Sequence, residues 1–253
     1  MHEEHPNFIT PPDDVILWRY MDVGRFIALL DSKGLYFARV HELGDPWEAA
    51  WPSGLKERAV EMLGASGEIF DYYQMAASQA VVSCWHENER ESVAMWRLYT
   101  TGLEGVAVKT TIGHLKRALG EEPCSVTIAR VLYIDHEADD DGLAPNFNVL
   151  GPLFCKRRSF QHEREVRAVI ANPDEAKLKK VIAEQQPDLG HTFTVSSSGL
   201  DRGLLVPVDM SVLVQSIVVS PQFPSWAIEA LQRVIERSGL VVTAESSDLL
   251  KRP

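Results

Sequence analysis

Between Val15 and Val40 the chain has little choice but to pass through a strand, a helix and a second strand. Val15, Ile16 and Leu17 open an apolar, β-branched run that Trp18 and Tyr20 extend, the composition of a buried strand. Asp22 is placed to cap a helix over Val23 to Asp31, where Phe26, Leu29 and Leu30 fall at i, i+3 and i+4 on one stripe. Gly34 stands where a residue just past a helix end stands, and Leu35 to Val40 reads as the second strand. Arg19 and Tyr20, adjacent within the first strand, need partners. Arg19 reads either as a salt-bridged strand-edge residue or as a cleft residue gripping an anion through its planar guanidinium.

The same alternation of patterns continues. Ala80 to Trp85 has strand composition and is broken by His86-Glu87-Asn88-Glu89. Ser92 can cap a short helix carrying Met95, Trp96 and Tyr99. Leu55 to Leu63 reads as a helix, Val106 to Lys109 as a strand, Thr111 to Leu119 as a threonine-capped helix and Val126 to Ile134 as one strand. Val149 to Ser159 reads as a helix with a basic end, and a strand begins at Glu163. Pro173 to Gln186 and Ser225 to Ser238 are helical patterns. Strands are expected at His191 to Val195, Leu204 to Val208 and Val214 to Val219, with Leu240 to Thr243 closing the chain. There is no strict strand–helix–strand rhythm, which points to an α+β fold with mixed, mainly antiparallel sheets. No repeat or linker cuts the chain. Residues 15–245 read as one domain between a loose arm, 1–14, and a tail, 246–253.

Charge narrows the function. A net charge of −11 argues against a surface built to coat nucleic acid, which needs dense Lys and Arg. Cys84, Cys124 and Cys155 are odd in number and show no CxxC spacing, which fits a reducing compartment; the cytoplasm is the expected location. No apolar run is long enough to cross a bilayer, so no membrane partner is expected. The histidines are scattered without metal-ligand spacing, so no metal is expected, and no dinucleotide-binding glycine motif or P-loop appears.

Three constellations stand out. Glu163-x-Glu165-x-Arg167 on a strand would put two carboxylates and a guanidinium on one face, with Val166, Ala168 and Ile170 on the other. That trio could hold a substrate hydroxyl and stabilise a developing cation, or it could be a surface ladder of compensated charges. Ser83-Cys84-Trp85 ends a buried strand. There Ser83 could meet a ligand or simply bond to backbone, and a Cys84–His86 nucleophile pair would need a lowered thiol pKa. Trp96, with Arg97 and Tyr99, could stack on a base or a nicotinamide, or pack in the core.

Taken in order, these pieces resemble the bacterial family called domain of unknown function 2971. The matching features are Leu17-Trp18-Arg19-Tyr20, Leu35-Tyr36-Phe37, Asp45-Pro46-x-Glu48, Ser83-Cys84-Trp85 and Met95-Trp96-x-x-Tyr99. They continue with Gly105-Val106-Ala107-Val108, Lys156…Phe160-x-x-Glu163-x-Glu165-x-Arg167 and Ile217-Val218-Val219-Ser220-Pro221. The opening is similar to the first motif of ADP-ribosyltransferases, although Arg19 stands where that family often has histidine. The resemblance implies an ADP-ribosyltransferase-like fold with NAD as substrate. It implies Arg19 on the ribose or phosphate, with Tyr20 beside it, and Ser83 near the nicotinamide ribose. Trp96, Tyr99 and Arg167 would complete the NAD-binding set. It implies Glu165, or else Glu163, as the catalytic carboxylate that stabilises the oxocarbenium-like cation. The acceptor would be a protein, a nucleic acid or water, the last making it an NAD glycohydrolase, and a toxin or phage-defence role would fit. Two other readings stay open: a non-catalytic binding or scaffold module of the same fold, with a partner protein, and a metal-dependent nuclease-like toxin.

Overall fold

The computed structural model describes residues 5–64, 67–120, 124–137, 150–185 and 203–249. In chain order the elements begin β1 (Ile16–Asp22), α1 (Val23–Ser32), β2 (Gly34–Arg39), α2 (Ser53–Leu63), α3 (Gly67–Gln79) and β3 (Val81–Glu87). Then come α4 (Val93–Tyr99), β4 (Gly105–Thr111), α5 (Ile112–Leu119), β5 (Thr127–Arg130), β6 (Leu132–Ile134) and β7 (Cys155–Arg157). The last described are β8 (Glu165–Ile170), α6 (Glu175–Gln185), β9 (Gly203–Pro207), α7 (Met210–Leu213), β10 (Ser216–Val219), α8 (Ser225–Arg237) and β11 (Ala244–Ser246).

The main sheet is laid out from β3. β8 runs antiparallel along one whole edge of it, from Val81↔Ile170 to His86↔Glu165. A strand has only two edges, so β1 and β2 must share the other. β1 pairs there at Leu17↔Glu87 and Trp18↔His86, and β2 at Ala38↔Val82 and Arg39↔Val81. Between those two short ladders the edge of Ser83, Cys84 and Trp85 has no strand beside it among the described residues, and the sheet forks. β4, β10 and β11 extend the β1 branch, and β9 extends the β2 branch. β5 lies beyond β8, while β6 and β7 form a separate parallel pair. The fold is α+β, largely antiparallel, with flanking helices.

Alternation along the strands sorts side chains onto two faces. Leu17, Met21, Val81, Trp85, Val166 and Ala168 belong to the main core, which Phe26 of α1 and Leu115 of α5 complete. On the opposite face Trp18 and Tyr20 pack with Met95 and Trp96 of α4. Further along that face, Val82, Ala129 and Val169 meet Ala77 of α3 and Leu153. Burying this much apolar surface at roughly 25 cal/mol per Å² is what holds helices to both faces. No helix among the described residues is long and apolar enough to cross a membrane.

Local chemistry accounts for most element ends. Ser92 and Thr111 cap α4 and α5 by accepting from Met95 N and His114 N. Asp22 occupies the N-cap of α1, but its carboxylate turns away to Thr101 N and Oγ1 at 2.8 and 3.1 Å. Lys33, not Gly34, takes the left-handed conformation after α1, at φ 46°, and Gly34 already belongs to β2.

Several expectations need correction. The helix expected over Val149 to Ser159 is, over the described residues, a 3₁₀ turn at Gly151–Phe154, strand β7, and a second 3₁₀ turn at Arg158–Glu163. Glu163 therefore closes a turn and is not on the strand with Glu165 and Arg167. The strand expected over Val126 to Ile134 breaks at Val131, where the chain leaves β8 for β7. A helical turn, α7, precedes β10, and the last strand begins at Ala244, after the expected Leu240 to Thr243. The arm is not loose from Phe8 onward. The Phe8 ring lies 4.5 Å from that of Phe154, Arg130 N donates to Ile9 O at 3.0 Å, and Thr10 Oγ1 donates to Ile128 O at 2.8 Å. The strand expected at His191 to Val195 lies outside the described residues.

Candidate functional site

Arg19 leaves β1 on the main-core face and reaches across the fork. Its Nη1 donates to Ser83 Oγ at 2.9 Å and its Nη2 to the Tyr36 carbonyl at 2.8 Å, so it ties all three forked strands together. The guanidinium also sits 5.6 Å from the Trp85 ring centre, and Trp85 Nε1 donates to the same Ser83 Oγ at 3.1 Å. Ser83 is bonded to side chains, not to backbone as one sequence reading had it. Among the described residues no carboxylate pairs with Arg19. Burial, partly offset by Cys84, lowers its pKa to about 10. A half-buried cation without a carboxylate beside it, among the described residues, is costly to keep, which makes Arg19 the candidate residue on this side of the sheet.

The second group lies on the opposite face, because β3 pairs Cys84 with Arg167 and His86 with Glu165. Arg167 is fully buried and all three of its nitrogens are engaged. Nε donates to Glu165 Oε1 at 2.8 Å, Nη1 to Leu153 O at 2.8 Å and Nη2 to Glu48 Oε1 at 2.9 Å. Lys156 of β7 reaches Glu165 Oε2 at 3.0 Å and Glu163 Oε2 at 2.5 Å. The surface ladder considered from the spacing is thus a buried network in which three carboxylates face two cations.

The environments of those carboxylates differ. Burial pushes Glu165 up, but Arg167 and Lys156 outweigh it and hold the carboxyl at about 2. Burial raises Glu48 above the ordinary carboxylate value despite Arg167. Tyr99, 39% exposed at the end of α4, has its hydroxyl facing Glu163, and burial together with the two glutamates raises its pKa. Both carboxylates are buried, Glu163 at 8% and Glu165 at 4% exposure, but Glu163 pairs with Lys156 alone whereas Glu165 is matched by two cations. Burial and Glu165 raise the Cys84 thiol well above its usual value, which removes the Cys84–His86 nucleophile pair.

No family profile, curated protein or solved structure matches this chain.

The residues singled out from the sequence fall into two sets. Arg19 and Ser83 meet directly at the fork. Glu163, Glu165, Arg167, Tyr20, Trp96 and Tyr99 gather on the other face. Tyr20 and Trp96 lie edge to face at 4.8 Å and are almost fully buried, so their rings pack on each other and offer no stacking surface. Arg167 is likewise sealed in its network and closed to a ligand. That leaves the partly exposed Arg19 on one face and, on the other, the exposed Tyr99 beside the buried Glu163. Cys84 stands between the sets: it follows Ser83 on β3 and pairs with Arg167 across the ladder.

Sequence reasoning missed Lys156 and Glu48 as members of the network. The apolar positions around Lys156 suggested a helix, and Glu48 sits in a loop whose Asp-Pro pair reads only as a turn. Two surface cavities, of about 450 and 320 Å³, flank that loop. Neither includes Arg19, Tyr99 or Glu163. Among the described residues there is no cluster of side chains able to hold a metal ion, and the network carboxylates already face Lys156 or Arg167.

Proposed function

We propose that this chain is an ADP-ribosyltransferase-like enzyme that cleaves NAD, with Glu163 rather than Glu165 as the stabilising carboxylate. The observation that carries the reading is the forked sheet, where Arg19 spans the gap and, among the described residues, has no carboxylate partner and no strand beside the β3 edge it faces. An uncompensated guanidinium at a gap between strands suits the phosphates or ribose of a dinucleotide. The sequence resemblance supports the same role for Arg19, while it puts Glu165 ahead of Glu163; because Glu163 lies on the opposite face of the sheet, the dinucleotide would have to pass through the fork to meet both.

The chemistry asks little else of the protein. The bond between nicotinamide and ribose C1′ breaks, nicotinamide leaves with the bonding pair, and positive charge develops on the ribose. A nucleophile then adds to C1′ and loses a proton. Glu163 would stabilise the developing charge, assisted by Tyr99, which can hold a hydroxyl nearby. Glu165 suits that task poorly because Arg167 and Lys156 already cancel its charge. Its role is to fix Lys156, and through Lys156 the Glu163 carboxylate.

The test is nicotinamide release from NAD by the pure protein, alone and with cell lysate as a source of acceptor. Glu163→Gln should lower the rate about 100-fold. No release under either condition ends the proposal. A toxin or phage-defence role would be supported by label transfer from NAD to a macromolecule in the lysate.

One observation favours a second reading, a binding module without turnover. Both terminal nitrogens of Arg19 are already engaged by Ser83 and Tyr36. Heat on titrating NAD, with no nicotinamide released, would select that reading.

A further inference from the structure

Glu163 is held in place by an unusual turn. It ends the 3₁₀ turn over Arg158–Glu163, and the next residue, Arg164, adopts the left-handed conformation at φ 42° and ψ 55°. For a residue with a side chain that conformation costs about 1–2 kcal/mol. Something must therefore hold the turn, and the end of β3 does so twice. Glu87 N donates to Arg164 O at 2.9 Å, and His86 Nδ1 lies 2.6 Å from Glu163 O. A carbonyl can only accept, so Nδ1 carries a proton. In the neutral ring Nε2 then has none, and it is buried without a hydrogen-bond partner among the described residues. Among the described residues the imidazole thus makes its hydrogen bond through Nδ1 alone, while its ring lies edge-on to that of Tyr20 at 6.2 Å.

We infer that His86 is a positioning residue for Glu163: its Nδ1–H locks the Glu163–Arg164 peptide and so aims the Glu163 carboxylate at Lys156 and Tyr99. The inference rests on the reading of Glu163 given above, but it concerns a residue that never touches the ligand. His86 is a better locking device than a backbone group would be. It lies on the face of β3 that carries the network, directly across from Glu165 in the β3–β8 ladder. Without this bond the Glu163–Arg164 peptide keeps, among the described residues, only the 3.3 Å bond from Arg164 N to Gln161 O, so it is loosened and the carboxylate leaves its partners while the flanking strands remain paired.

The experiment compares three variants in the full-length protein. In His86→Asn the side-chain amide N–H falls near the position of Nδ1 and should keep kcat for nicotinamide release within a few-fold of wild type. His86→Phe keeps the ring but loses the donor, and should lower kcat about 100-fold with little change in KM, the penalty expected for a misplaced catalytic group. Arg164→Gly in the His86→Phe background should recover much of the lost rate, because glycine adopts the left-handed conformation without strain. A His86→Phe variant with wild-type kcat overturns the inference. So does a normally folded double variant in which Arg164→Gly restores none of the rate lost in His86→Phe. Nitrogen NMR of the histidine ring gives a readout that needs no turnover. A proton on Nδ1 with a bare Nε2 is expected, and the opposite tautomer refutes the assignment. An enzyme that never releases nicotinamide would therefore sink the NAD reading, while the spectrum still decides the role of His86.

Discussion

Arg167 meets two carboxylates whose environments push them apart. Glu165 is held near pH 2 in the folded protein, well below its ordinary value of 4.5. A depressed carboxylate contributes stability that is fully present above the unfolded value and is lost as pH falls toward the folded one. Acid unfolding should accordingly draw on this group between about pH 4.5 and about pH 2. Glu165→Gln should destabilise the protein by about 3–5 kcal/mol at neutral pH, because it removes the carboxylate that Arg167 and Lys156 share and leaves each buried cation with one hydrogen-bonded carboxylate, Glu48 for Arg167 and Glu163 for Lys156. It should also flatten the acid limb, as followed by urea denaturation at a series of pH values. Glu48 has the opposite sign. Its raised pKa makes the ionised form unfavourable, so its contribution is greatest below its ordinary value and fades as pH rises through the raised one. Glu48→Gln leaves an acceptor for Arg167 and balances the network. It should fall within about 0.5 kcal/mol of wild type at neutral pH or exceed it. Ser83→Ala removes the shared acceptor of Arg19 and Trp85 and should cost about 2 kcal/mol.

At the level of elements, the sequence was legible wherever period and cap agreed. The helices beginning after Asp22, Ser92 and Thr111 lie close to where apolar spacing and the capping residue put them. Leu150, Leu153 and Phe154 misled for the same reason, because they mimic a helical stripe. There Gly151-Pro152 weakens the helix, and pairing of Cys155–Arg157 with Leu132–Ile134 outcompetes it. The strand break at Val131 was hidden because alternation says nothing of which neighbour a strand will find. The gathering of Glu163, Glu165 and Arg167 was foreseen, but for the wrong geometry. Their separation from Arg19 depends on the pairing of β3, which no local pattern encodes. Lys33 offers a test at this scale. It is an exposed left-handed residue closing α1, so Lys33→Gly should raise stability by about 1 kcal/mol in thermal or urea unfolding.

Across the whole molecule, the loop between β2 and α2 is clasped to β7 and β8 by two carboxylates. Asp45 accepts from Arg157 Nε and Nη2 at 3.0 and 2.8 Å, and Glu48 accepts from Arg167. Arg157 is partly exposed, so a double-mutant cycle on Asp45 and Arg157 should give a coupling of about 1 kcal/mol that weakens with added salt. The tryptophans give little support to a scaffold role, since Trp18, Trp51, Trp85 and Trp96 are buried and only Trp226 is largely exposed.

The forked sheet carries a mechanical consequence. β1 and β2 are two wings hinged on a common spar, each fastened by a couple of ladder rungs, with one long side chain as the strut between them. Amide protons of Ser83 to Trp85 that point into the gap should exchange with deuterium well before those facing β8. Shortening the strut in Arg19→Ala should speed that exchange further while leaving the β8 side untouched.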